Sequence, residues 1–289
     1  MKTIGPLVLY ALLALGGGGF AWLAGAEGAE WQGLPVMFVC AALAFAINWA
    51  AAVPAILAKT EHFYDLTGAL TYIAVMAAAL ALTGRSDPAA LIAAAVVLVW
   101  CVRLGTMLFS RVRETGEDKR FRHIRNRPLS FLGAWTTQAL WVVLISSPAL
   151  AIIVLPAAGD PTLLFWAGLA IWALGFGIEA IADAQKGAFR RDPANRGRFI
   201  TTGLWSWSQH PNYFGEILLW TGVAIMAVPI LSGAAWLVFI SPLFSYVLLT
   251  RVSGTPMLDK LARERWGEDP SYQAYVRRTS ELVPLPPRS

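Results

Sequence analysis

Glu61 and Asp65 stand four residues apart with Tyr64 between them, so a helix starting here carries two carboxyls and a phenol close to one face. Two acids on one face raise each other's pKa. A carboxyl kept neutral, or a neighbouring phenol, is what protonating an anionic intermediate requires. Glu61, Tyr64 and Asp65 are therefore the candidate catalytic group. The plainer reading is that both acids favour the positive end of a helix dipole, and the two readings are compatible. Glu179 and Asp183 repeat the four-residue spacing at the end of another apolar segment, followed on roughly the same stripe by Lys186 and Arg190. Acids at a helix C-terminus oppose the dipole, so they need cationic or hydroxyl partners, such as an adjacent arginine or a bound ribose.

The densest signal runs from Asp183 to Glu216, basic at first, then aromatic, then the start of a helix. Pro211 suits the first helical turn, with Ser208 or His210 near the cap position, so the next helix opens with free N–H groups and a positive dipole end. Such an end binds phosphate. Lys186, Arg190, Arg191, Arg196 and Arg198 lie nearby in sequence, and Trp205, Trp207 and Tyr213 offer rings to stack on a planar group. Arg103, Arg111, Arg113 and Arg120 on the preceding basic segment could close over the same ligand. Adhesion to anionic lipid is the simpler explanation of the arginines, but it leaves His210-Pro211-Asn212-Tyr213-Phe214-Gly215-Glu216 unexplained.

These residues need a scaffold, and composition dictates which kind. Of 289 residues 57% are hydrophobic and only 14% charged, where a soluble domain carries about a quarter charged residues. Long unbroken apolar runs exclude an outer-membrane barrel, whose strands alternate over about ten residues. Hydrophobic windows predict eight spans at 4–24, 34–57, 63–83, 89–109, 131–155, 163–182, 213–228 and 231–249. The predicted fold is an all-α polytopic membrane protein. Pro229 and Gly233 leave a very tight turn in the last pair, so those residues could instead form one kinked segment. With the N-terminus inside, every one of the 23 Lys and Arg except Arg85 falls on the cytoplasmic side. The positive-inside rule thus predicts cytoplasmic termini and assigns the net charge of +5 to one membrane face instead of to nucleic acid. On that orientation Glu61, Asp65, Arg103, Glu179, Asp183 and Glu216 all sit near the cytoplasmic ends of their helices, where ionisable residues are functional candidates.

Met1-Lys2 before an apolar run, with small residues at 25–29, also resembles a signal peptide, although the run is longer than a signal core and favours a retained helix. Cys40 and Cys101 lie within apolar helices and behave as small hydrophobes, so no disulfide framework or metal site is expected. No Walker loop, Gly-x-Gly-x-x-Gly turn or His-Glu-x-x-His helix is present.

The stretch Gly203-Leu204-Trp205 through His210-Pro211-Asn212-Tyr213-Phe214-Gly215-Glu216, with Trp220 and Gly222, resembles the C-terminal half of the steroid 5α-reductase family, and more closely the bacterial membrane proteins of unknown function grouped with it. Arg103, Arg111 and Gly116-Glu117-Asp118-Lys119-Arg120 match the exit of their fourth span, and Trp266-Gly267, Tyr272, Tyr275 and Arg277-Arg278-Thr279 match their tail. The resemblance covers roughly 63–286 and implies a division into two N-terminal helices (1–62) and a reductase-like membrane domain (63–289). It implies NADPH held on the cytoplasmic side by Asp183, Arg190, Arg198, Asn212 and Glu216, with Arg103, Arg111, Asp118 and Arg120 near the same cofactor. The steroid enzymes carry a Gln-Glu pair on an early helix and a Tyr shortly before the fourth-span Arg. Here Thr60-Glu61 and Trp100 stand in those places, which makes Trp100 the substrate-side candidate and leaves Tyr64 with Asp65 to replace the missing hydrogen-bond donor.

Together these readings predict an NADPH-dependent reductase of a bacterial inner membrane, delivering hydride to a polarised carbon–carbon double bond of a lipophilic substrate that enters from the bilayer. Glu61, Tyr64 and Asp65 would polarise the substrate or supply the proton. One alternative is an S-adenosylmethionine-dependent methyltransferase like the isoprenylcysteine carboxyl methyltransferases, which share a His-Pro-x-Tyr-x-Gly element. Those enzymes place a Glu pair soon after an Arg leaving the last span, whereas Arg251 here is followed by Val-Ser-Gly-Thr-Pro-Met-Leu-Asp. Another is a lipid-binding or transport protein, which would want polar residues at mid-span, where Asn48 and Gln138 are the chief examples.

Overall fold

The computed structural model describes residues 4–156, 159–252 and 254–287. Met1 and Lys2, the basic flank of the signal-like reading, lie outside the described residues. Eight helical segments among the described residues are long and apolar enough to cross a bilayer. The chain is an all-α polytopic integral membrane protein.

It divides into two compact units, Met1–Phe165 with Met226–Ser241, and Trp166–Ile225 with Pro242–Ser289. The first unit holds α1 (Ile4–Ala24), a short hairpin of β1 (Glu30–Trp31) and β2 (Leu34–Pro35), α2 (Val36–Ala58), α3 (Tyr64–Thr83), α4 (Pro88–Thr115) and α5 (Pro128–Val154). Helix α5 touches all four of the others and is the most buried span, at 72% against 17% for α1. Two of its polar residues are answered within the bundle: the Ser146 hydroxyl donates back to Val142 O, and Thr136 accepts from the Trp49 indole. Helix α1 is fixed on this core where Gly17 leaves no room for a side chain between Phe45 and Leu140, and where Tyr10 donates to Leu129 O at 3.0 Å.

Hydrogen bonds sort the loops of this unit onto two ends. At one end Ala29 N–H donates to Val154 O, Ser232 pairs with Glu27, and Arg85 donates to Leu155 O at 2.8 Å while also engaging Asp87. Asp87 caps α4 by accepting from Ala90 N–H, and its hydrogen bond from Arg85 lowers its pKa to about 2. At the other end the α2–α3 turn meets the segment 116–127.

The second unit contains most of α6 (Leu163–Arg191) and α7 (Pro211–Ala227), most of α8 (Ile240–Val247), then α9 (Thr255–Trp266) and α10 (Pro270–Arg278). Helices α6 and α7 run antiparallel with backbone against backbone. A side chain on Gly175 would strike Leu219 N, one on Gly215 would strike Glu179 N, and one on Gly222 would strike Trp172 N. Small residues at such contacts are how helices approach closely where lipid offers no hydrophobic drive.

The span boundaries agree with the hydropathy reading to within a few residues except where helices extend beyond the membrane-length core: α4 runs to Thr115 and α6 to Arg191. The doubtful last pair resolves into separate elements. Helix α7 stops at Ala227, 3-10 turns cover Val228–Ile230 and Gly233–Phe239, and α8 passes through a π-helical turn at Leu248–Val252. Proline at 229 and glycine at 233, the latter with φ of 46°, break the helix between them.

Candidate functional site

In the first unit the chemistry-bearing residues form an ionic cluster at the α2–α3 turn. The Glu61 carboxylate, fully buried, accepts the Asp118 N–H at 3.0 Å and faces Arg125 Nη1 at 3.3 Å from both oxygens. Asp65 accepts from Arg120 Nη2 at 2.9 Å, and the same guanidinium holds Asp118 through Nε at 2.8 Å. Arg111 Nη2 stands 4.0 Å from Asp118. Burial alone would raise the Asp118 pKa, but its hydrogen bond to Arg120, the charges of Arg120 and Arg111, and the Arg120 N–H outweigh it and lower the value. Beneath the cluster the Tyr64 ring packs between Phe121 and Trp135, its hydroxyl donating to Ala134 O at 3.0 Å. Gln138 donates to Tyr64 O.

The expected arrangement of two acids facing each other is therefore corrected. The turn separates Glu61 from Asp65 because α3 begins only at Tyr64, and each carboxylate faces its own arginine. Asp118 and Arg120, read as cofactor contacts, meet Asp65 and each other. Trp100 is buried against Tyr72, edge to face at 5.4 Å, and Arg103 is half-buried on α4.

In the second unit the antiparallel α6 and α7 bring Asp183 and Asn212 together, Asn212 Nδ2 donating at 3.2 Å. One turn further along, Glu179 and Glu216 are buried at the Gly215 crossing. The segment between the helices folds back on α6: Gln185 Oε1 accepts Leu204 N–H at 2.9 Å, beside Gly203 at φ +62°. The Trp205 indole enters the core with Ala182 and Ile200 and donates to Ala182 O at 3.0 Å. Lys186 Nζ lies 4.2 Å from its ring centroid. Arg190, Arg191, Arg196 and Arg198 are exposed.

The C-terminal tail clamps the same segment. Tyr275 donates to Trp205 O at 2.7 Å, Gln209 N–H to Ser280 O at 2.8 Å, and the Ser208 hydroxyl to Leu282 O at 2.7 Å. Leu285 N–H donates to Trp207 O, and the Trp266 indole to Gly197 O at 2.6 Å. Phe199 sits among Trp266, Tyr272 and Tyr275. Burial holds the Tyr275 phenol above its ordinary pKa. His210 stacks on Tyr213 and its Nε2 pairs with Asp259 at 3.2 Å, while its buried Nδ1 has no hydrogen-bond partner among the described residues.

Two expectations change here. Ser208, read as a phosphate cap, accepts the His210 N–H and spends its own proton on the tail. Trp205, read as a stacking platform, is 3% exposed and has Lys186 over its ring. The first follows from tail contacts about seventy residues away in sequence, and the second from the fold of the segment back onto α6. Asp259, Gln185 and Gln209 were missed, and no local signal marks them. The glycine seam was missed too, although Gly168 and Gly175 on α6 and Gly215 and Gly222 on α7 each stand seven apart, a two-turn spacing that would have revealed it.

A family described as "Protein of unknown function (DUF1295)" matches residues 49–279. The chain belongs to DUF1295. This DUF1295 family is the steroid 5α-reductase-like group. The chain is also similar to a "Probable O-methyltransferase ustE" of Ustilaginoidea virens, 29% identical over 72 residues. That match covers 25% of this chain, and the chain spans only 25% of the relative. No solved structure matches.

Proposed function

We propose that this DUF1295 protein is a membrane enzyme acting on a lipophilic substrate, and that it is an NADPH-dependent reductase of a polarised carbon–carbon double bond. One observation carries the reading: Asp183, Arg190, Arg198, Asn212 and Glu216, which the central motif assigns to the cofactor, fall in one unit, with Asp183 on Asn212, Glu216 at the helix crossing beside Glu179, and exposed arginines at and beyond the helix end.

The donor set suits such a cofactor. Exposed guanidinium groups at Arg190, Arg191 and Arg198 match phosphates, and the Asp183–Asn212 pair matches ribose hydroxyls. The buried Nδ1 of His210 offers an acceptor once Nε2–H is committed to Asp259. NADPH would supply the hydride when bound. The tail clamp would hold the motif segment in one geometry, and the half-buried Lys186 over the Trp205 ring would keep positive charge beside it. In this reading Glu61 and Asp65 fix the segment carrying Arg120, and they polarise substrate directly only if an arginine partner swings away. Tyr64 would act as proton donor only after releasing Ala134 O. The same proposal places the basic loops and both termini in the cytoplasm of a bacterium, with substrate arriving from the bilayer of the inner membrane and Trp100 on its side of the site.

The curated relative supports a second reading, methyl transfer from S-adenosylmethionine. Titrating the detergent-purified protein with NADPH, NADH and S-adenosylmethionine while following its melting temperature separates the two. Stabilisation by NADPH that is lost in Arg190→Ala and Asp183→Ala is the expected result. Stabilisation by S-adenosylmethionine alone overturns the reductase, and a response to none of the three favours lipid binding or transport.

A further inference from the structure

The tail that clamps the motif segment also turns apolar groups outward. Trp207 is 47% exposed, Val283 47% and Leu285 50%, and the Leu285 N–H to Trp207 O bond holds the first and last of these side by side. Trp207 precedes Pro211, the first residue of the membrane-crossing α7, by four residues, so this strip stands at the level where a spanning helix enters the bilayer. Tryptophan is the residue most suited to that level.

The backbone of the strip is suited to a water-poor layer. Pro284, Pro286 and Pro287 have no N–H, and the N–H of Leu285 is already donated to Trp207 O. The carbonyls of Ser280 and Leu282 accept from Gln209 N–H and the Ser208 hydroxyl. Each backbone group answered in this way, or removed by proline, lowers the desolvation cost of seating the segment at a low-dielectric boundary, and Glu281, exposed at its head, suits the headgroup side. Exposed Arg277 and Arg278 immediately precede it and suit phospholipid phosphates.

We infer that Trp207 and the strip 281–287 form an interfacial anchor, seated in the headgroup–acyl boundary of the bilayer that α7 crosses. Three half-exposed side chains fall far short of the roughly 800 Å² per partner that a stable protein interface buries, which argues for lipid over a second polypeptide.

The test uses the full chain with Cys40 and Cys101 replaced by alanine, a single cysteine at Val283→Cys or Leu285→Cys, and an environment-sensitive fluorophore on it, in phosphatidylcholine nanodiscs loaded with one copy. Glu268→Cys, exposed ahead of α10, is the aqueous reference. Labels at 283 and 285 should be quenched by shallow spin-labelled lipid and be at least about threefold less accessible to aqueous iodide than the label at 268. Equal iodide access at all three positions overturns the anchor. So does protection from iodide without quenching by lipid, because the cover would then be protein.

Discussion

Two loops of this protein are tied down by opposite means. The segment 116–127 is held at the α2–α3 turn by charge: Glu61 to Arg125, and Asp65 and Asp118 to Arg120. The segment 199–210 is held mainly through neutral donors and rings, with Tyr275, Gln209 and Ser208 each on a backbone carbonyl, and through one charged group, Asp259 on His210. The difference decides what each loop can be asked to do. Charges that pair across 116–127 serve to hold that loop, whereas a loop fixed through its backbone keeps most side chains out of the fastening, and Arg191 and Arg198 are exposed beside it.

Removing Glu61 should give the largest effect. Glu61→Ala removes a fully buried carboxylate, leaving the Asp118 N–H without its acceptor and the partly exposed Arg125 with Glu117 alone, at a cost of about 2–3 kcal/mol. The midpoint of unfolding in detergent should fall, and trypsin should cut faster at Arg122 and Arg125, while the 199–210 segment keeps its protease resistance. A drop in resistance at both segments would show that the two clamps are not independent.

Tyr275→Phe should have the smaller converse effect, about 1–2 kcal/mol from leaving Trp205 O without its donor. Hydrogen exchange should quicken across 203–210 and 279–285 and stay unchanged across 116–127.

Titration should divide the loops further. Asp118 has a lowered pKa, so its contribution is complete above about pH 4, the ordinary aspartate range, and fades as pH falls below it. The Tyr275 phenol is raised, so its contribution is complete below about pH 10 and is lost as pH rises beyond that. Limited proteolysis should therefore open 116–127 first in acid and 199–210 first in alkali. Opening in the reverse order would break the comparison.

The smallest effect is expected at the other end of the first unit. Arg85 and Asp87 also pair by charge, yet Asp87 is partly exposed, so Asp87→Asn should cost under about 1 kcal/mol, mostly through the α4 cap. A loss as large as that of Glu61→Ala would mean that exposure does not separate the two pairs.

Much of the fold was legible because a bilayer imposes a single length scale on apolar segments. Helix α1 at Ile4–Ala24 and the end of α3 at Thr83 fall where hydropathy puts them. The candidate residues were legible as types and spacings, and their contacts were much less so. Asp183 and Asn212 meet because α6 and α7 are antiparallel neighbours, which local spacing cannot reveal. Arg120 looks like a phosphate ligand in a linear reading and becomes a link between Asp65 and Asp118 once the loop folds back. His210 draws attention as a lone histidine at a helix start, yet Asp259, its partner, lies 49 residues later with nothing in its surroundings to mark it.

The clamp on 199–210 also has a consequence in time. Tyr275 follows Trp205 by 70 residues, and at about 5–20 residues per second the ribosome needs roughly 4 to 14 s to make the intervening chain. During that interval α7 and the last span must enter the bilayer while the motif segment waits without its carbonyl partners. The motif segment is therefore among the last parts of the protein to mature during synthesis, and a nascent chain halted before Tyr275 would carry every motif residue up to Glu216 without the Tyr275 clamp on Trp205.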